Sequence, residues 1–142
     1  MPFLQSLASL LGRWVLAWFF LTEAYRHALE WNSTAVLLTM KGLPAPQIVL
    51  ALAIAGAVLG SVSLILGLWT RVGALVLFAI TIGLAVTLHD FWHLKTELAR
   101  AADYDIFARD MAIAGGLLVL MGMGPGRFAM GHARPKARYG RR

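Results

Sequence analysis

Residues 48–69 read IVLALAIAGAVLGSVSLILGLW, 22 positions without a charged side chain. Residues 72–88, VGALVLFAITIGLAVTL, add 17 more after the short break Thr70-Arg71. A helix crossing the bilayer needs about 20 mainly apolar residues. Two such runs separated by two residues therefore predict an antiparallel transmembrane hairpin. The rest of the chain fits that environment. Of 142 residues, 59% are hydrophobic and 14% charged, against about 25% charged in an average soluble domain. A soluble domain this small would have to leave much of that apolar surface in water, and a disordered chain would be far more polar.

Two further spans flank the hairpin. One runs over residues 7–29, apolar from Trp14 to Thr22 but carrying Arg13, Glu23, Arg26 and His27. It is long and ends in Glu23-Ala24-Tyr25-Arg26-His27 rather than in a small-residue cleavage site, so it reads as a retained helix. The other runs over residues 106–123, with Arg109-Asp110 near its start and Gly124-Pro125-Gly126 as its stop. The fold expected is all-α, an integral membrane four-helix bundle over residues 1–128, with residues 129–142 a disordered basic tail. Pro44 and Pro46 suit a helix start. Asn32-Ser33-Thr34 are expected to cap a short interfacial helix ending at Lys41. Residues 93–105 read as a surface helix or loop.

Four spans put both termini on one side. That side holds Arg13, Arg71, Arg127, Arg134, Lys136, Arg138, Arg141 and Arg142 and no acid. The other holds five basic residues and all seven acids: Glu23, Glu30, Asp90, Glu97, Asp103, Asp105 and Asp110. The positive-inside rule assigns both termini to the cytoplasm, where the tail faces anionic headgroups. The tail is short and has one aromatic, Tyr139, so no nucleic-acid partner is expected. Lipid gives helices no hydrophobic drive to associate, so small residues make the close contacts. Gly56, Gly60, Gly115 and Gly116 are expected to pack the bundle, the alternative being a self-association or partner-subunit face.

The chemistry gathers at the acidic end. Glu23, Arg26, His27 and Glu30 recur at i, i+3, i+4 and i+7, one helical face. His89-Asp90-Phe91-Trp92-His93 ends the third span and Arg109-Asp110 begins the fourth at matching depth. Ionisable groups in a bilayer are costly and need partners. One reading is a structural network: Glu23 with Arg26 or Arg109, and Asp110 near a helix N-terminus that favours negative charge. The other is a ligand pocket with an aromatic wall of Trp18, Phe19, Tyr25, Phe91 and Trp92. Histidine beside a carboxylate offers the hydrogen-bond partners that a quinone headgroup requires. The pocket candidates are Glu23, Arg26, His27, His89, Asp90, Trp92, Arg109 and Asp110. His89 and His93 stand at i, i+4, but paired Glu-x-x-His motifs for di-iron are lacking, and His27 with His89 is the one pair suited to bis-histidine haem. Neither metal nor haem is expected, and no catalytic residue is assigned. With no cysteine, disulfide, thiolate-metal and thiol-nucleophile chemistry are excluded. No broken-helix repeat supports a transporter.

Several segments resemble the DoxX family of small four-helix membrane proteins. They are Gly12-Arg13 and the run into Glu23-Ala24-Tyr25-Arg26-His27, then Lys41-Gly42-Leu43-Pro44, Leu66-Gly67-Leu68-Trp69-Thr70-Arg71, His89-Asp90-Phe91-Trp92, and Arg109-Asp110 through Gly124-Pro125-Gly126-Arg127-Phe128. The resemblance implies a bacterial inner-membrane protein connected with quinone or respiratory redox chemistry. Relatives of that kind include a terminal quinol oxidase subunit, and others associate with oxidative-stress proteins. It therefore implies an accessory subunit of a quinone-linked complex, with other membrane or redox subunits as partners. A non-catalytic assembly role remains the alternative. Two positions depart from the family pattern. Ala57 stands where relatives often carry a glutamate, and Arg109-Asp110 replaces a Lys-Asn pair, so the resemblance implies Asp110 as a compensating acid.

Overall fold

A computed structural model describes residues 2–89, 94–124, 126 and 129. Five helices follow in order: α1 Pro2–Leu29, α2 Trp31–Met40, α3 Pro46–Leu66, α4 Thr70–Leu88 and α5 Glu97–Met123. Among the described residues there is no strand. α1, α3, α4 and α5 are long and apolar enough to cross a membrane. Their boundaries follow the local chemistry. α3 opens with Pro46 in its first turn and closes on Gly67 at φ 72°, whose N–H donates to the Ser63 carbonyl. α4 starts at once after Trp69 at φ 51°, so the hairpin turn is as tight as the sequence implies.

α1 packs on α3, α3 on α4 and α4 on α5, while α1 and α5 barely touch. The four spans form a ring left open between the first and the last. Both the α1 start and the α5 end lie at one end of the bundle, the termini end. α2 lies at the far end against α3, where Ala35 and Leu38 are buried with Leu50. Its outward Val36, Leu37 and Met40 are exposed, as an interfacial helix requires. No side chain caps α2; the Ser33 hydroxyl donates to the Glu30 carbonyl instead. Thr34 N–H also reaches Glu30, whose own N–H reaches Arg26. The hydrogen-bond ladder passes almost unbroken from α1 into α2, which removes the need for the expected Asn32-Ser33-Thr34 cap.

The core is built of small and branched side chains, with Ala17, Ala57, Ala74, Leu77 and Leu117 among its members. Gly60 lets α3 meet α4 backbone to backbone: a Cβ there would lie 3.2 Å from the Gly73 carbonyl oxygen and 2.7 Å from Leu77 Cγ. Gly56 is held as closely, 2.7 Å from Ile80 Cδ1. Gly115 and Gly116 differ. Both are exposed, and a Cβ on either would meet nothing within 4 Å. The expected packing role of Gly115 and Gly116 is therefore corrected for the bundle itself; Gly73 makes the close contact instead. α5 also begins earlier than expected. Residues 97–105 are its first turns, continuous with the span. At about 1.5 Å per residue its 27 residues outreach a hydrocarbon core of about 30 Å.

Candidate functional site

The gap between α1 and α5 opens into a cavity of about 750 Å³ at the far end, lined by all five helices. Its depth is apolar, formed by Leu50, Ile54, Ala57, Ile80 and Leu84. Its upper walls carry Glu23, Arg26 and His27 of α1, Glu30 at the junction of α1 and α2, Lys41 at the end of α2, His89 at the end of α4, and Asp103, Arg109 and Asp110 of α5. The spacing of three and four residues turns the first four of these polar groups to one face. The antiparallel order brings the ends of α1 and α4 level with the start of α5.

Within this wall, Glu23 accepts from Arg26 Nη2 at 2.5 Å, and His27 Nε2 stands 3.9 Å from the same carboxylate. Glu23 therefore takes Arg26 rather than Arg109 as its partner. Across the cavity His89 Nδ1 meets Asp103 Oδ1 at 2.7 Å. The same ring presents Nε2 at 3.9 Å from Asp110 Oδ2, too long for a hydrogen bond. Asp103 is acceptor-only when ionised, so it accepts from an Nδ1–H and turns Nε2 toward Asp110. Arg109 donates from Nε and Nη2 to Asp110 Oδ1, both at 3.3 Å. Its guanidinium also lies 5.5 Å over the Phe19 ring, a cation–π contact from α5 to α1 across the open side. Two polar atoms in the lining are buried without a hydrogen-bond partner: His27 Nδ1 and Asp103 Oδ2.

Of the residues singled out from sequence, Glu23, Arg26, His27, His89, Arg109 and Asp110 all line this one cavity. Asp90, Phe91, Trp92 and His93 lie outside the described residues. The aromatic wall is corrected: Trp18 and Tyr25 are each 67% exposed and point away, whereas Phe19 lines the cavity with Phe20, set edge-on at 5.3 Å. Asp110 is not near a helix N-terminus, because α5 starts at Glu97. Asp103 was not anticipated as a partner for His89; an α5 starting at Glu97 would have placed it about two turns before Asp110, on the same face. Among the described residues no group of three or more His, Cys, Asp or Glu side chains is placed to hold a metal ion. Ala57 sits in the cavity floor.

The DoxX family model matches residues 8–90. The chain is also similar to inner membrane protein YphA of Escherichia coli (strain K12), 25% identical over 121 residues, which is 85% of this chain and 86% of that relative. No solved structure matches it.

Proposed function

The chain belongs to the DoxX family, and from that premise we propose that this multi-pass inner-membrane protein is an accessory subunit of a quinone-linked redox complex, binding a quinone headgroup in the far-end cavity. The observation that carries the reading is the His89–Asp103 pair beside two unpartnered buried atoms in a space with an apolar floor. Buried polar atoms without partners are costly, and a ligand that satisfies them is favoured. An isoprenoid tail fits the apolar gap between α1 and α5. Arg26 and His27 supply donors to carbonyl oxygens, and Asp103 and the His89 Nε2 lone pair supply acceptors to hydroxyls. A bound quinone would bring a two-electron, two-proton carrier. The chain itself binds and orients the ring, restricts water, and can hold a proton at His89 Nε2. The charge asymmetry supports a cavity on the periplasmic side.

The test is purification from native membranes with quinone analysis of the lipid extract, together with quinol turnover of whatever complex co-purifies. Glu23→Gln combined with His89→Ala is expected to lower both bound quinone and partner turnover. No quinone in the wild-type extract, with turnover intact in the double variant, sinks the reading. One observation favours a purely structural role instead: Glu23 and Asp110 each already hold an arginine of their own helix. A partner that co-purifies with both proteins, without quinone, would fit that reading.

A further inference from the structure

Arg13 sits in α1 at the termini end and is 1% exposed. Its Nε, Nη1 and Nη2 are all buried without a hydrogen-bond partner. Thr70, which opens α4 in the turn beside it, is 2% exposed and its Oγ1 is likewise unpartnered. The turn fixes where Arg13 lies: a Cβ on Gly67 would run into Arg13 Nη1 and into Ala129. Arg71 belongs to the same turn and reaches toward Gly124. A guanidinium stays charged at any physiological pH, and a buried charge without a counter-charge is expensive.

Among the described residues no acidic side chain stands at this end. The six described acids occupy α1 from Glu23 onward, Glu30, and α5 from Glu97 to Asp110, all at the far end, and the seventh, Asp90, follows His89 in sequence. No acidic side chain of the described bundle can therefore neutralise it, which leaves room for an anion from the surrounding lipid. The first turn of α4 adds the positive end of a helix dipole at the same level. Trp69 at the tip of the turn is 81% exposed, the position of an interfacial aromatic. That level in a bilayer is where lipid phosphates stand.

We propose that Arg13, Thr70 and Arg71 form a phosphate-binding site at the termini end of the bundle, occupied by the phosphodiester of an anionic phospholipid. The guanidinium suits it because its fork matches two phosphate oxygens. Its stem is long enough for the guanidinium to meet a headgroup phosphate at the Gly67 turn. Arg71 supplies a second positive charge, and the Thr70 hydroxyl a donor.

Native mass spectrometry of the intact protein released from micelles tests this. The probes are phosphatidylglycerol, phosphatidylcholine and inorganic phosphate. Wild type is expected to retain one phosphatidylglycerol in preference to phosphatidylcholine, and R13Q to retain it about tenfold less well. T70A, which leaves the arginine in place, is expected to weaken retention by a smaller factor and keeps the test alive if R13Q fails to fold. Equal retention by wild type and R13Q overturns the site, as does a loss of stability in R13Q that is the same in every lipid, which would make Arg13 a partner of the α3 C-terminal carbonyls alone. Arg13-dependent binding of inorganic phosphate without retained lipid overturns the lipid assignment.

Discussion

His89 and Asp103 meet at 2.7 Å between Nδ1 and Oδ1, one at the C-terminal end of α4 and the other in the second turn of α5. The contact joins the end of α4 to the start of α5 and gives the imidazole Nδ1 a carboxylate partner. Asp103→Asn removes the carboxylate but keeps the size. With both side chains less than one-fifth exposed, the loss is expected at about 1–2 kcal/mol of stability. The 15N shifts of the His89 ring, read by NMR, should move from a single Nδ1–H form toward a tautomer mixture. An unchanged spectrum would mean that Asp103 does not set the ring.

Gly60→Val and Gly116→Val should separate sharply. At Gly60 the new side chain meets Leu77 and the Gly73 carbonyl, and overpacking of this kind costs about 1–3 kcal/mol. At Gly116 there is open space. Thermal unfolding in mild detergent should show a clear loss for the first and little change for the second. Equal losses would show that Gly116 is packed by something beyond this chain.

These glycines also mark how far the sequence could be read. The spans were legible because an uncharged run of 22 residues has few other homes. Gly56 and Gly60 were legible as a small-residue spacing, but the same signal at Gly115 and Gly116 faces outward, because spacing alone does not say which face meets a neighbour. The start of α5 was hidden for a different reason. Glu97, Arg100 and Asp103 lie beyond the apolar stretch, where hydropathy is silent about helix, and Asp103 was lost as a site residue along with that boundary. The α1 cluster was legible since its spacing alone turns four polar groups to one side. The burial of Arg13 had no signal in a sequence where a basic residue near a membrane edge reads as solvated.

Gly67→Ala should be poorly tolerated for two reasons acting together. The residue sits at φ 72°, where a Cβ is strained, and that Cβ would strike Arg13 and Ala129. A loss above about 1 kcal/mol is expected. Arg13→Ala in the same chain should return part of it, a coupling of about 0.5–1 kcal/mol in a double-mutant cycle followed by detergent unfolding. Strict additivity would mean that the two do not touch in the membrane.

The absence of cysteine makes the orientation directly measurable. Trp69→Cys, at a position 81% exposed, and Glu97→Cys, exposed at the start of α5, mark opposite ends of the bundle. With both termini in the cytoplasm, an impermeant maleimide should label Cys at 97 in intact spheroplasts and reach 69 only after permeabilisation. The reverse pattern would move the cavity to the cytoplasmic side and separate the charge asymmetry from topology.

Ala57 and Asp110 line one cavity from different helices, and the resemblance described above implies a glutamate at the place of Ala57. If Asp110 supplies the charge that Ala57 lacks, the two positions should be coupled. Ala57→Glu alone adds a carboxylate at a site 6% exposed, beside the existing acids of α1 and α5, and should destabilise by about 2–3 kcal/mol. With Asp110→Asn the total charge of the lining is restored and Arg109 is freed from its 3.3 Å contacts with Asp110. The combined variant should therefore be more stable than the sum of the two single losses by about 1 kcal/mol or more. Unfolding of the four proteins of this cycle in one detergent decides the matter, because independent sites would add and a shared charge would not.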